Sequence, residues 1–253
     1  HAVKLSREAE KLGADALLQV TPYYNKASQE GLVRHFTQVA DHVSIPILLY
    51  NVPSRTGVTI QPETYRILSE HPNIRGTKEA SGNLSLIART AALCGQGFDI
   101  YSGNDDQTVP IMSLGGKGVV SVLANIMPKE THKMCRLYLD GDVKESRRMQ
   151  LQLLEIMEAL FWDVNPIPVK TALGLMGVCG DDLRLPLTPM EPEQRERLAE
   201  VMKRQVISLN CIIRQICYNK GSERIAVWSF MHRESKAGDC PAFIFEDVIL
   251  EKT

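Results

Sequence analysis

The sequence lacks the features that mark several large classes of protein. No apolar run reaches the roughly 18 to 20 residues that a membrane-spanning helix needs. Only 6% of the residues are aromatic and the net charge is −1, without a basic stripe, so a nucleic acid is not an expected partner. Neither GxGxxG nor GxxxxGK(S/T) occurs, so nothing indicates a dinucleotide or a nucleotide bound by a P-loop.

The six cysteines are scattered along the chain and form no CxxC pair. This pattern favours reduced thiols in a cytoplasmic protein over a disulfide framework or a zinc site. The spacing of the four best candidate ligands fits no common zinc pattern: Cys211, Cys217, His232 and Cys240. We therefore expect neither a metal nor a cofactor.

Short apolar runs alternate with amphipathic segments in the first half of the chain. The segments between the runs have the periodicity of helices of about ten to fifteen residues. The alternation predicts βαβ units and a parallel sheet, which is either part of a (β/α)8 barrel or an open doubly wound sheet. The five apolar runs cover residues 14–22, 45–53, 73–80, 98–105 and 116–125.

Polar residues stand at the end of each apolar run or just beyond it, where a predicted strand ends. In a parallel sheet these ends lie along one edge, which in a barrel is the catalytic face. Lys78 is the most unusual of them, because a strand in an α/β protein is normally apolar on both faces. The groups are Tyr23–Tyr24–Asn25, Tyr50–Asn51, Lys78–Glu79, Ser102–Gly103–Asn104–Asp105 and Asn125.

The pattern changes after residue 126. Residues 127–162 are typical of two helices, Asn165–Pro166 of a helix start, and residues 191–205 of a final amphipathic helix. We predict a partial barrel of five strand–helix units followed by a helical region, with boundaries at 1–126 and 127–206.

Both ends of the chain have unusual sequences. The opening HAVKLSREAEKLGAD has apolar residues at helical spacing and no initiator Met, which predicts that the chain begins inside a domain. The tail, residues 207–253, has no clear period. It is either a product of the reading frame or an added interaction segment, and the missing period favours the former.

Seven motifs occur in order at near-constant spacing over about residues 1–206: VTPYYNKASQEGL, LLYNVPSRTG, GTKEASGN, YSGNDD, GVVSVLANIMP, NPIPVK and LRLPLTP. Together they resemble the dihydrodipicolinate synthase (4-hydroxy-tetrahydrodipicolinate synthase) family. The resemblance implies a (β/α)8 TIM barrel with a C-terminal helical domain. It implies a lyase that condenses pyruvate with L-aspartate-4-semialdehyde through a lysine Schiff base, in diaminopimelate and lysine biosynthesis. It also implies a homotetramer built as a dimer of dimers, without a cofactor.

The resemblance further implies an N-terminal truncation. Members of the family carry a longer N-terminal part with the first barrel strands and a GTTGE loop, whose threonine belongs to a proton relay. That loop is absent from this sequence. A non-catalytic fragment that at most binds pyruvate or associates with full-length subunits is therefore one of the hypotheses.

The resemblance assigns catalytic roles to Lys78 and Tyr50. A neutral amine at Lys78 would attack the ketone of pyruvate and form a Schiff base. Tyr50 would transfer protons near that imine. The alternative for Lys78 is a side chain that extends to water or pairs with Glu79, and the alternative for Tyr50 is a tyrosine with a buried ring and a hydrated hydroxyl.

The remaining assignments concern substrate and subunit contacts. Arg55, in the loop after the second strand, would hold the carboxylate of the semialdehyde with its planar guanidinium, and otherwise is a solvated loop residue. Tyr24 resembles the tyrosine that reaches the active site of a neighbouring subunit, for which interface packing is the alternative. Gly103 and Val120 resemble positions whose backbone lines the pyruvate pocket.

A second enzyme class shares part of this pattern. The N-acetylneuraminate and keto-deoxy-sugar acid lyases also use YNxPxxTG and a Schiff-base lysine. The presence of Arg55 and of KEASGN argues against those lyases.

Overall fold

The computed structural model describes residues 1–205. The predictions for the tail, including the four candidate metal ligands within it, lie outside the described residues. The described residues fall into two compact units, residues 1–120 and residues 121–205. The predicted domain boundaries at 126 and 206 stay predictions.

Five parallel strands form one sheet in the first unit. They are β1 (Leu17–Val20), β2 (Ile47–Asn51), β3 (Ile74–Glu79), β4 (Asp99–Ser102) and β5 (Gly118–Val119). Each strand pairs with the next one in the chain, so the order in the sheet is the order in the sequence. A doubly wound sheet reverses its order part-way, whereas consecutive order is typical of a barrel. The prediction of a barrel-type parallel α/β fold is confirmed.

Helices connect the strands of the first unit. They are α1 (Ala2–Lys11), α2 (Gln29–Ala40), α3 (Pro53–Thr56), α4 (Pro62–Ser69), α5 (Leu84–Cys94) and α6 (Thr108–Met112), with a 3-10 turn at Asp105–Gln107 before α6. Two of the starts follow from side-chain caps. The hydroxyl of Ser28 accepts the Gly31 N–H at 3.2 Å, and the side chain of Asn83 accepts the Leu86 N–H at 3.0 Å.

The sheet is buried on both of its faces. One face packs against the helices, where α2, α4 and α5 contribute Leu32, Phe36, Tyr65 and Ile87 to a large apolar cluster with Leu49 of β2. The other face holds a smaller cluster, formed by Leu48, Tyr101 and Val120. This double burial explains why the strands appear in the sequence as nearly continuous apolar runs.

The second unit is helical. It contains a 3-10 turn at Leu123–Asn125 and the helices α7 (Pro128–Leu139), α8 (Val143–Gln152), α9 (Leu154–Ala159), α10 (Ile167–Leu175) and α11 (Pro192–Arg204). The single helix expected from residue 142 onward is interrupted at Leu153. The helix expected to start at Asn165–Pro166 begins at Ile167 instead, so Pro166 occupies the N-cap. Within residues 1–205, no helix is both long and apolar enough to cross a membrane.

Candidate active site

Three residues at the carboxyl ends of neighbouring strands form one row across the sheet. Tyr50 of β2 pairs in register with Lys78 of β3, and Lys78 pairs with Tyr101 of β4. Side chains alternate between the two faces along a strand, and residues paired in register share a face. The three side chains therefore lie on the face that carries the smaller apolar cluster, opposite the helices.

Lys78 is buried, with 3% of its surface exposed. Its Nζ lies 4.5 Å from the centroid of the Tyr50 ring. Lys78 therefore does not extend to water, which was one of the two structural alternatives for this residue. A lysine side chain is rarely buried to this degree without a specific reason.

Gly103 leaves the space that the Lys78 side chain occupies. A Cβ atom at Gly103 would lie 3.2 Å from both Cγ and Cε of Lys78, and 2.7 Å from Cβ of Ala80. The Gly103 N–H donates to the Glu79 carbonyl at 2.8 Å, which fixes the glycine beside the end of β3. Any larger residue would move the lysine or the chain that follows it.

Arg55 and Val120 are positioned by different elements. Arg55 is exposed and lies in the short helix α3, not in an irregular loop as the sequence had indicated. Val120 is 1% exposed and follows β5, and its N–H donates to the Ser102 carbonyl at 2.8 Å. Its side chain packs with Leu48 and Tyr101, so Val120 lies on the same face of the sheet as Lys78.

Tyr24 differs from the residues of this row because its side chain is exposed to solvent. It follows β1 and is 89% exposed, and its neighbour Tyr23 is 60% exposed. Two large, adjacent and solvent-facing aromatic side chains are the kind of residue that is enriched at protein interfaces. The role of Tyr24 in the active site of a neighbouring subunit stays a prediction.

Tyr101 was not predicted from the sequence. It lies next to Lys78 in register, is 2% exposed, and has a raised pKa because of its burial and the nearby charge of Asp99. The prediction took only the polar residues at the end of this apolar run, and Tyr101 lies before them. Its position two residues before Gly103 was the signal that could have identified it.

Asn51 and Glu79 were named from the sequence, but it was not predicted that they belong to a buried polar group on the opposite face of β2 and β3. The Glu79 carboxylate is 1% exposed and accepts hydrogen bonds from three donors: Asn51 Nδ2 at 3.1 Å to each oxygen, the Tyr65 hydroxyl at 3.0 Å, and the Ser81 N–H at 2.9 Å. Burial raises the pKa of Glu79, and the hydrogen bonds from Ser81, Asn51 and Tyr65 oppose that rise. The alternation Thr77–Lys78–Glu79 was the available signal, since it places the neighbours of Lys78 on the other face.

Metal-binding geometry is absent from the described part of the chain. Within residues 1–205, no group of three or more His, Cys, Asp or Glu side chains could hold a metal ion. The row of Tyr50, Lys78 and Tyr101 supplies an amine and two phenols. A buried lysine at the carboxyl edge of consecutive parallel strands is typical of barrel enzymes that use an amine as the nucleophile.

Comparisons with known proteins agree with this class. Residues 1–205 match the dihydrodipicolinate synthetase family, and the chain belongs to that family. The chain is 56% identical over 202 residues to the 4-hydroxy-tetrahydrodipicolinate synthase of Caldicellulosiruptor saccharolyticus, a match that covers 80% of this chain and 68% of the relative.

Two solved structures show the same similarity in three dimensions. Dihydrodipicolinate synthase from Aquifex aeolicus superposes with a TM-score of 0.80 at 43% identity, covering 83% of this chain and 72% of that one. The chloride-inhibited dihydrodipicolinate synthase from Acinetobacter baumannii, complexed with pyruvate, gives a TM-score of 0.79 at 40% identity and covers 81% and 70% of the two chains. The family resemblance predicted from the seven motifs is confirmed.

Proposed function

We propose that the protein is a lyase that condenses pyruvate with L-aspartate-4-semialdehyde to give 4-hydroxy-tetrahydrodipicolinate, in diaminopimelate and lysine biosynthesis. The observation that carries the proposal is the buried amine of Lys78 against the Tyr50 ring at the carboxyl edge of the sheet. Family membership supports the choice of reaction, because the relatives compared above are named for this synthase.

Lys78 is the nucleophile of the proposed reaction. Its neutral amine adds to the C2 carbonyl of pyruvate, and loss of water leaves an iminium ion. Loss of a proton from C3 converts the iminium ion to an enamine, which attacks the aldehyde carbon of the semialdehyde. Attack by the substrate amine at C2 then closes the ring and releases Lys78. The low exposure of Lys78 and its place beside the Tyr50 ring support this role.

Tyr50 and Tyr24 transfer protons in this proposal. The phenol of Tyr50 shares its row with Lys78, so it is placed to donate and accept protons while the imine forms. Tyr24 reaches the active site of a second copy of the chain and completes the relay there. Its high exposure fits a contact that only the oligomer makes.

Arg55, Gly103 and Val120 bind the substrates. The guanidinium of Arg55 is exposed and can pair with the semialdehyde carboxylate through two parallel hydrogen bonds. Gly103 lies against the Lys78 side chain and Val120 packs with Tyr101, and both bring backbone close to pyruvate bound at Lys78. No metal or cofactor has a role in this chemistry.

The proposed assembly is a homotetramer built as a dimer of dimers. The adjacent exposed side chains of Tyr23 and Tyr24 support an interface at this point of the chain. A cytoplasmic location is part of the same proposal, and it rests on the scattered cysteines of the sequence, which form no CxxC pair.

Borohydride trapping with pyruvate tests the proposal. The expected result is a reduced pyruvate adduct on Lys78, identified by intact mass and peptide mapping, together with consumption of L-aspartate-4-semialdehyde. An adduct without consumption of the semialdehyde would indicate a fragment that binds pyruvate but does not catalyse the condensation. Cleavage of N-acetylneuraminate or a keto-deoxy-sugar acid, in place of condensation, would assign it to the other class of Schiff-base lyase. Absence of any adduct would refute the role of Lys78.

A further inference from the structure

Four side chains form a buried polar cluster between β2, β3 and α4: Asn51, Tyr65, Thr77 and Glu79, called here the Glu79 cluster. All four are 1% exposed or less. Thr77 and Glu79 flank Lys78 in β3, so they lie on the helix-facing side of the sheet while Lys78 lies on the other. The proposed reaction uses none of the four, yet the cluster directly adjoins two of its principal residues in the chain.

We propose that Glu79 is a positioning residue, which acts by holding the ends of β2 and β3, and the segment that carries Arg55, in the arrangement that the Schiff-base reaction requires. The inference rests on the proposed function. Glu79 itself contacts no substrate in this proposal, and it acts through Asn51 and Ser81.

A side-chain bridge from Asn51 to Glu79 links the ends of β2 and β3. Asn51 follows Tyr50 in β2, and Glu79 follows Lys78 in β3. The pair Asn51–Glu79 is therefore the next register pair after Tyr50–Lys78. The Asn51 amide donates to both carboxylate oxygens at 3.1 Å, so a side-chain bridge supplements the backbone pairing immediately beyond the amine and the phenol.

The same two side chains also hold the segments that follow β2 and β3. The Ser81 N–H donates to the Glu79 carboxylate at 2.9 Å, which fixes the turn after β3. The side-chain oxygen of Asn51 accepts the Ile60 N–H at 3.1 Å. That bond closes the segment 52–60, which contains α3 and Arg55. The Asn51 side chain thus connects the Glu79 carboxylate to the segment that contains Arg55.

The Glu79 carboxylate is matched by its hydrogen-bonding partners. Asn51 Nδ2 and the Ser81 N–H can only donate, and the Tyr65 hydroxyl donates to the carboxylate as well. Asn51 Nδ2 and the Ser81 N–H therefore face the carboxylate as donors, and its two oxygens can accept from both at once. Four hydrogen bonds of 2.9–3.1 Å fix the carboxylate relative to β2, to the turn after β3 and to α4. A neutral amide at position 79 would direct its NH2 group at some of the same donors.

A charge swap between the two bridging residues provides the sharpest test. Glu79→Gln keeps the size of the side chain but removes the charge, and Asn51→Asp places two carboxylates opposite each other. The double variant Asn51→Asp/Glu79→Gln restores an amide–carboxylate bridge with the roles reversed, while the carboxylate introduced at position 51 can still accept the Ile60 N–H. The rate of the reduced pyruvate adduct on Lys78, kcat, the two KM values and the melting temperature would be measured for all three.

Expected results follow from the need for precise geometry at the amine. Each single variant should lose about tenfold to a hundredfold in adduct rate and kcat, because displacements near 1 Å have effects of this size. The double variant should be at least about threefold faster than either single variant, since the coupling between residues 51 and 79 is then restored. It should stay slower than the parent protein, because the NH2 group at position 79 still faces one of the donors from Ser81 and Tyr65. Asn51→Asp should additionally raise the KM for the semialdehyde more than that for pyruvate.

Ser146→Ala is the matched control for lost stability. Ser146 is fully buried in α8 and donates to the Met134 carbonyl at 2.8 Å, so the variant loses one buried hydrogen bond outside the cluster. It should lower the melting temperature without changing the adduct rate. If Glu79→Gln behaved like Ser146→Ala, or if the double variant stayed as slow as the single variants, the positioning role would be refuted. Absence of an adduct in the parent protein would instead refute the proposed function, and the inference with it.

Discussion

Replacement of Gly103 by alanine is the most direct test of how the sheet holds Lys78. The new methyl group would lie 3.2 Å from both Cγ and Cε of Lys78 and 2.7 Å from Cβ of Ala80. Carbon atoms pack best at about 3.5–4.0 Å, so the contact with Ala80 is short by about 0.8 Å and those with the lysine by about 0.3 Å. Either Ala80 or the Lys78 side chain therefore has to move.

The geometry sets the expected size of the effect. Ala80 follows directly on Glu79, and its N–H donates to the Asn51 carbonyl at 2.9 Å, so it cannot move without disturbing the ends of β2 and β3. Overpacking of this kind costs typically about 1–3 kcal/mol in the free energy of unfolding. Because displacements near 1 Å at a reacting group can cost about a hundredfold in rate, we expect the rate of adduct formation to fall by about tenfold to a hundredfold.

The assay is borohydride trapping with pyruvate, timed by intact mass, with urea unfolding of the same samples. Gly31→Ala is the matched control. A Cβ at Gly31 would meet its nearest neighbours at 3.4 Å, and the residue lies in α2, where alanine is favoured over glycine by up to about 1 kcal/mol. The control should therefore be at least as stable as the parent protein and should form the adduct at the same rate.

The result that refutes this reasoning is specific. If Gly103→Ala formed the adduct at the parent rate while it retained a cooperative unfolding transition, the space at Gly103 would not be what keeps the Lys78 side chain in place. If Gly103→Ala fails to unfold cooperatively, the same variant would be assayed at a lower temperature, where the same Cβ contacts test the same clearance.

Three further variants test other parts of the site. Tyr50→Phe keeps the ring that lies 4.5 Å from Lys78 Nζ but removes the phenol, so kcat should fall by about 10²–10⁴ with little change in stability. Arg55→Lys keeps the charge but loses the planar pair of donors, so the KM for the semialdehyde should rise by about tenfold or more while the pyruvate adduct rate stays constant. Glu79 should contribute to the pH dependence of stability: burial raises its pKa in the folded protein above the ordinary 4.5, so the free energy of unfolding should fall as pH rises through the folded pKa. The free energy of unfolding would be measured by urea denaturation at several pH values between 4 and 8. Glu79→Gln should weaken its dependence on pH, whereas Glu8→Gln, at an exposed position, should leave that dependence unchanged.

The sequence predicted the kind and order of the strands better than their lengths. All five apolar runs contain a strand, because burial on both faces of a parallel sheet demands apolar residues throughout. The run at 116–125 yields only Gly118–Val119 as strand and then a 3-10 turn at Leu123–Asn125. An apolar run of that length is compatible with either a strand or a buried turn of helix, and only the partners in space decide between them.

The positions at which helices begin and end also depend on contacts in space that the sequence pattern does not show. Leu153 alone separates α8 from α9, and α10 begins at Ile167, one residue later than the Pro166 start that the sequence predicted. Such boundaries are uncertain by one or two residues in any assignment. The four-residue helix α3 was missed for a different reason, since it is shorter than the window over which periodicity can be recognised.

Lys78 and Tyr50 were predicted as site residues because they lie near the ends of apolar runs, whereas Tyr101 and Tyr65 were not predicted because one lies inside a run and the other in a helix. Lys78 and Tyr50 stand at the carboxyl ends of adjacent apolar runs, and the parallel register places them side by side. The contact between Tyr65 and Glu79 joins a helix to a strand across 14 residues, and no local pattern encodes it. The alternation of β3 does encode that Glu79 points away from Lys78 and into the layer of helices. A buried carboxylate in that layer needs donors to remain there, so the glutamate beside the lysine implies a polar cluster behind the site even before its members are known.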